Sequence, residues 1–192
     1  MKKIMMTLAA VAVAATMNAQ VWVGGELGFS SSHTNGSDET NKTFEIAPEI
    51  GYNLDDNFAV AIKLGYCYTN NFDLDELMGT MPGVLGTFSA NAYTINPYLR
   101  YTFVKAGNFS AFIDGGINYT TNHFRGGENN VNQFGAAVVP GIAYAVSDKV
   151  TLVSHLGKGL YWNHSWIKDT YRNNSYGLNL LNSISFGAYY NF

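Results

Sequence analysis

Seven side chains carry most of the chemistry this sequence offers. Glu26, Glu45, Glu49 and Asp114 are carboxylates, Lys63 and Arg100 are cations, and His155 is an imidazole. Glu26 and Glu49 could act as acid and base, since proton transfer needs titratable groups within hydrogen-bond reach of a substrate. Ser154 beside His155 suggests a nucleophile and its base, but neighbours in a strand point to opposite faces of a sheet. The chain has no Gly-x-Ser-x-Gly elbow and no His-x-x-x-His spacing. His33, His123 and His164 fall in three stretches that read as separate loops, so a metal site would have to be assembled from all three. Gly126–Glu128 reads as a turn without the context of a phosphate loop. The expectation is no catalytic residue, no cofactor and no metal. The charged groups then need a structural explanation, and the elements that carry them supply one.

Those elements alternate at period two. Phe58–Tyr66, FAVAIKLGY, sets Phe, Val, Ile, Leu and Tyr on one face and Ala, Ala, Lys and Gly on the other. That is a strand with one apolar face and one small or polar face. Four segments align with one another: VWVGGELGF from Val21, FAVAIKLGY from Phe58, FSAFIDGGI from Phe109 and VTLVSHLGK from Val150. Their sixth positions are Glu26, Lys63, Asp114 and His155, all on the small or polar face. A second repeat runs between them, in IAPEIGYNL (Ile46–Leu54), INPYLRYTF (Ile95–Phe103) and VVPGIAYAV (Val138–Val146). Ile184–Phe192 is a fourth copy, with Phe186 in the place of the proline and Tyr190 matching Tyr52. Proline lacks the ladder donor, so Pro48, Pro97 and Pro140 are read as marking local bulges. Short turns at Asp55–Asn57, Val104–Asn108 and Ser147–Lys149 alternate with longer polar connections at Ser31–Lys42, Thr69–Thr87, Thr120–Asn130 and Tyr161–Ser175. Eight strands in four up-and-down hairpins follow.

The N-terminus sets the compartment. Lys2 and Lys3 precede an apolar, Ala-rich stretch from Ile4 to Met17, and small residues follow. This is the layout of a secretory signal peptide. Residues 1–19 are expected to be removed and 20–192 to form one domain. Taking Lys2 and Lys3 from the eleven basic residues leaves nine against fourteen acidic ones, which argues against a nucleic-acid partner. Cys67 is the only cysteine, so no internal disulfide can form. No stretch beyond the signal is long and apolar enough for a membrane-spanning helix.

Laid out by height, the apolar face carries an aliphatic belt that includes Val23, Ile50, Ile62, Leu99 and Val138. Aromatic residues flank it: Tyr52, Phe58, Tyr101 and Tyr190 towards the short turns, Tyr66, Tyr93, Tyr119 and Phe134 towards the longer connections. A belt between two aromatic girdles is what a barrel in lipid shows. A soluble barrel with that face packed inward has no reason to sort aromatics to both rims. The fold predicted is an all-β, eight-stranded antiparallel up-and-down transmembrane β-barrel. Lys158 interrupts the lipid face; at about 20 Å above Val150 it would lie near the outer rim, unless a bulge at Gly157 or Gly159 turns it inward.

Eight strands leave an interior just wide enough for side chains to fill. Glu26, Glu45, Glu49, Lys63, Arg100, Asp114 and His155 all point into it, with Trp22, Asn96, Tyr98 and Gln133 adding polar bulk. Buried charges must be paired, so a salt-bridge network plugging the lumen is expected. Trp162, Trp166 and Tyr171 make the fourth connection aromatic, and Phe72, Leu74, Leu77, Met78 and Met81 give the second a small apolar cluster; either could contact a partner.

The signal peptide, the eight amphipathic strands, the alternating connections and the Tyr-x-Phe ending at Tyr190 and Phe192 resemble the small eight-stranded outer-membrane barrels, the OmpX-like proteins and the membrane domain of OmpA. The resemblance spans the mature chain and rests on pattern rather than on a catalytic motif. It implies an outer-membrane location among lipid and lipopolysaccharide, insertion by the barrel-assembly machinery through the terminal aromatic strand, and roles in envelope integrity, adhesion or contact with a host surface. A narrow pore or small-ligand binder, and then a lipid-modifying enzyme, are the alternatives.

Overall fold

An amphipathic strand with one apolar and one polar row needs two different environments on its two sides, and a sheet closed on itself provides them. The computed structural model describes residues 20–33, 40–73, 87–124, 130–168, 171–180 and 184–192. The expected export signal, residues 1–19, and Leu74, Leu77, Met78 and Met81 of the second connection lie outside them. The strands are β1 (Val21–His33), β2 (Thr40–Asn53), β3 (Phe58–Asp73), β4 (Thr87–Ala106), β5 (Phe109–Phe124), β6 (Val131–Ala145), β7 (Val150–Leu156), β8 (Gly159–Ile167), β9 (Tyr171–Asn179) and β10 (Ile184–Asn191). β6 pairs with both β7 and β8, which are two halves of a seventh strand. β9 and β10 are likewise two halves of an eighth, and β10 closes on β1 from Trp22↔Asn191 to Leu27↔Phe186. The result is a closed, eight-stranded antiparallel barrel.

Its surface is inverted relative to a water-soluble domain. Leu27 and Phe186 are 64% and 67% exposed, whereas Arg100 and Asp114 are 8% and 6% exposed. The apolar rows face outward and the charges face the lumen. A soluble barrel with the same rows packed inward is excluded.

Pro48 and Pro97 do not mark bulges, whereas Pro140 stands at one: the register shifts by two between Gly141↔His155 and Val138↔Leu160. Each keeps its bridge to the preceding strand, at Gly25↔Pro48, Ile62↔Pro97 and Ile113↔Pro140, and none has a bridge to the following one. At Pro48 and Pro97 the register is the same on both sides of the break. One missing donor opens a ladder locally without adding a residue. At Pro97 the loss is repaired: Asn96, on the lumenal side, donates from Nδ2 to the Ile117 carbonyl at 2.7 Å, the acceptor that Pro97 faces without an N–H. Asn96→Ala should therefore cost on the order of 1 kcal/mol, the net worth of one intramolecular hydrogen bond. In a Pro97→Val background the same change should cost much less, because the backbone donor is restored. Urea unfolding of the refolded protein reads both, and equal costs would contradict the substitution of one donor for the other.

Other irregularities are independent of the prolines, and the one at Pro140 has a cause on the neighbouring strand. Registers shift between Thr69 and Phe72 and between Thr102 and Val104. Gly157 and Gly159, with φ of 73° and 65°, flank Lys158 at the break between β7 and β8. Only glycine takes this left-handed backbone without penalty. The break carries Lys158 off the lipid row and into the lining of the lumen, so the placement of Lys158 on the lipid face is corrected.

The connections are shorter than expected. β8 runs to Ile167 and β9 starts at Tyr171, so Trp162, Trp166 and Tyr171 stand on strands instead of on a loop. His123 and His164, also read as loop residues, stand on β5 and β8. The polar residues that suggested loops, Asn163 and Ser165 among them, are the lumenal row of strands that continue above the charged layer. At the other end, Asn57 and Phe58 each donate a backbone N–H to Asp55 Oδ1 at 2.7 Å, which holds that carboxyl below the ordinary aspartate range. This support for the turn is present at neutral pH and is lost as pH falls through the lowered value.

The chain's last residues behave as the fourth copy of the descending repeat. Phe186, where the other copies have proline, has bridges on both sides, to Leu27 and to Ser154. Phe192 N–H donates to Val21 O at 3.1 Å, and Tyr190 and Phe192 rings meet edge to face at 5.2 Å.

Candidate functional site: a charged layer across the lumen

The alignment of the ascending strands determines who meets whom. The four equivalent positions on β1, β3, β5 and β7 come together as one chain of contacts. Lys63 Nζ donates to Glu26 Oε1 at 2.5 Å. His155 Nδ1 lies 2.9 Å from the same oxygen, in ion-pair range but without hydrogen-bond alignment. His155 Nε2 lies 2.8 Å from Asp114 Oδ2 and is hydrogen-bonded to it. Both ring nitrogens thus face carboxylates, and the doubly protonated imidazole is the form that presents an N–H to each. In that form the layer holds three carboxylates, Glu26, Glu49 and Asp114, against three cations.

The descending strands add the second half. Arg100 binds Asp114 through two parallel bonds, Nε to Oδ1 at 2.8 Å and Nη2 to Oδ2 at 2.7 Å. The same Nη2 donates to the Tyr189 hydroxyl at 3.0 Å. The guanidinium carbon stands 3.8 Å from the Phe112 ring centroid and 5.2–5.5 Å from those of Tyr189, Trp22 and Tyr98. Arginine suits this setting because its planar ion forks onto a carboxylate and stacks on rings at once. Tyr98 donates to Glu49 Oε2 at 2.8 Å, and Lys63 Nζ lies 3.7 Å from that oxygen. Glu49 Oε1 is buried without a hydrogen-bond partner among the described residues.

Small residues make room for these rings. Trp22 stacks on Tyr189 at 4.2 Å between centroids. A Cβ on Gly51 would fall 2.1 Å from the Trp22 ring, and one on Gly141 would fall 2.4 Å from the Phe112 ring. Large and small inward residues therefore alternate between neighbouring strands, which is how a narrow barrel fills its bore.

Of the seven predicted lumenal residues, six are joined in this layer. Glu45 is not: it sits higher, is exposed, and makes no ion pair with a described residue. It shares an upper chamber of about 310 Å³ with Lys158, Asn96 and Ser185. A lower chamber of about 400 Å³ is lined by Trp22, Asp55, Thr102, Thr151 and Asn191. Arg100 faces the lower chamber and its partner Asp114 the upper one. The ion pair itself is the partition. Ser154 is on the outward row, between Ile142 and Phe186, and does not touch the layer.

Two members of the layer were missed from sequence. Phe112 and Tyr189 sit in apolar runs, Ala-Phe-Ile and Ala-Tyr-Tyr, where neither stands out by type. Parity gives both away, because Phe112 is two residues from Asp114 and Tyr189 two from Gly187 on the lumenal row.

The family model described as the outer membrane protein beta-barrel domain matches residues 4–192. No curated protein matches the sequence. Among solved structures, the chain is similar to neisserial surface protein A, at 17% identity and a TM-score of 0.54 over 90% of this chain and 97% of that one. Similarity extends to the outer membrane protein W of E. coli, at 16% identity and a TM-score of 0.49 over 90% and 97% of the two chains. It extends also to the N-terminal β-barrel domain of OprF from Pseudomonas aeruginosa, at 12% identity and a TM-score of 0.48 over 90% and 98%. At these identities the likeness is one of fold, and the first of the three carries it.

Proposed function

The chain belongs to the outer membrane β-barrel protein family, and from that membership we propose that it serves a structural or surface-interaction role in the envelope, with a lumen closed by its own side chains. The observation that carries this reading is the partition. A bidentate Arg100–Asp114 pair separates two chambers, and the layer around it ties β1, β2, β3, β4, β5, β7 and β10 together. His155, the one imidazole beside Ser185 in the upper chamber, is already held between Glu26 and Asp114, and the role proposed is not enzymatic.

Under this reading residues 1–19 direct export and leave the barrel of 20–192, with the β1–β2, β3–β4, β5–β6 and β8–β9 connections outside the cell. Tyr190 and Phe192 would present the terminal aromatic strand to the barrel-assembly machinery. Trp162 and Trp166 face outward near the upper rim, where they anchor the barrel in the headgroup zone or meet an extracellular or host protein. Planar-bilayer recording of purified protein tests the closed lumen. Silence, or conductance far below that of a general porin, is expected, and a large, stable open level would overturn it. The two chambers favour a second reading, a small-ligand binder, which a ligand-dependent rise in melting temperature would reveal.

A further inference from the structure

The lipid-facing wall is uneven on one side. One row of ladder partners runs Leu99, Gly115, Val138, Leu160 and Leu178 across β4, β5, β6, β8 and β9. The row above it runs Pro97, Ile117, Ala136, Trp162 and Tyr176, with Pro97 and Ile117 in register although unbridged. Small side chains at Gly115, Ala136 and Pro97 make a depression, and Leu99, Ile117, Val138, Leu160 and Trp162 wall it. The groove has a volume of about 920 Å³ and is almost wholly apolar. Nothing lies within 4 Å of a Cβ built on Gly115, so the space there is open.

The same strands change character towards the outer rim. Above Leu160 and Leu178 come the pairs Trp162↔Tyr176, His164↔Asn174 and Trp166↔Arg172. His164 Nδ1 and Asn174 Oδ1 are hydrogen-bonded at 2.9 Å, and His164 stacks on Trp166. Arg172 is exposed and makes no ion pair with a described residue. Six residues separate Arg172 from Leu178, a rise of about 15 Å at ordinary strand rise and barrel tilt. That is close to one leaflet of an apolar band about 25 Å tall. A hydrocarbon groove in one leaflet thus ends on a cation at headgroup level.

Resting on the outer-membrane reading, we propose that this groove seats an acyl chain of an anionic, phosphate-bearing outer-leaflet lipid, whose phosphate is held by Arg172. The order of chemistry along the wall, apolar, then aromatic, then amide and imidazole, then guanidinium, is that of an amphiphile. Charge decides between a lipid and a second barrel. On β4, β5, β6, β8 and β9, the strands that form this wall, no described outward-facing residue is a carboxylate, while Arg172 is outward at its upper end. A second copy docked wall to wall would therefore bring no counter-charge to Arg172, and an anionic lipid does.

The test is native mass spectrometry of the purified barrel in neutral micelles, titrated separately with lipid A, dephosphorylated lipid A and phosphatidylcholine. One retained lipid A per barrel is expected, in at least tenfold preference to the other two. Arg172→Ala should abolish the preference for the phosphorylated form, and Arg172→Lys should keep part of it. Gly115→Leu, whose Cβ has no atom within 4 Å and whose side chain extends into the groove, should reduce retention of both lipid A forms about tenfold. Gel mobility before and after boiling shows that each variant is folded. Equal retention of all three lipids by the wild type, or unchanged binding by Arg172→Ala and Gly115→Leu, would overturn the site. Either result would leave the closed-lumen reading standing, since that is read by conductance.

Discussion

Arg100→Ala is expected to lower the unfolding free energy of the refolded barrel by about 3–5 kcal/mol, the range for removing one partner of a buried ion pair. The guanidinium ties the two halves of the layer together, holding Asp114 on one side and the Tyr189 hydroxyl on the other. Without it, Asp114, 6% exposed, keeps His155, at 2.8 Å, as its one ion-pair partner among the described residues, and four rings lose the ion they surround. Arg100→Lys should fall between the variant and the wild type, because an ammonium cannot make two parallel bonds to Asp114 or stack on Phe112. Replacing both partners, as Arg100→Met with Asp114→Leu, should recover most of the loss, since no charge is left unpaired. Equilibrium unfolding in urea measures all three. A loss under about 1 kcal/mol, as for an exposed pair, would mean that water rather than protein surrounds the ions.

The second large effect is steric. Gly51→Leu should abolish the folded species that migrates differently before boiling. Its Cβ alone would lie 2.1 Å from the Trp22 ring, and that ring cannot retreat freely because it stacks on Tyr189. Tyr189 in turn covers Gly24 on β1, where an added Cβ would lie 2.4 Å from its ring. A displaced Trp22 therefore disturbs the strand pair that closes the barrel. Trp22→Ala in the same chain should restore folding, with a coupling of at least about 1 kcal/mol between the two sites. A Gly51→Leu variant with wild-type mobility would show that the bore is looser than the packing of Trp22, Gly51 and Tyr189 implies.

Much of this was legible in the sequence because a barrel strand has only two faces. Once Phe58–Tyr66 was read as alternating, Lys63 had to face the lumen. Aligning the four ascending segments put Glu26, Lys63, Asp114 and His155 at equal heights, and the structure joins these four residues directly. What the sequence did not reveal depends on register between strands. Glu45 shares its face with Glu49, yet it stands four residues further from the layer on β2, beyond reach of Lys63. The prolines suggested bulges because a missing donor is usually accommodated by one. The repair by Asn96 becomes visible only when Ile117 is known to stand opposite Pro97. The two-glycine break around Lys158 was foreseen only as one of two options, since either Gly157 or Gly159 alone could have been an ordinary strand glycine. Strand length was underestimated for a compositional reason: above the layer the lumenal row is Asn, Ser and Thr, and those residues look the same in a loop as on the wet side of a strand.

The charged layer divides the lumen, and under the proposed orientation the upper chamber faces the cell exterior. Ser185 lines the upper chamber and Thr102 the lower one, so single-cysteine variants Ser185→Cys and Thr102→Cys, each in a Cys67→Ser background, place a thiol on either side. Intact cells treated with a small, charged, membrane-impermeant thiosulfonate should be labelled at position 185 and not at position 102, while disrupted cells should be labelled at both. Labelling of position 102 in intact cells as fast as position 185 would contradict a closed lumen, and labelling of position 102 alone would contradict the orientation.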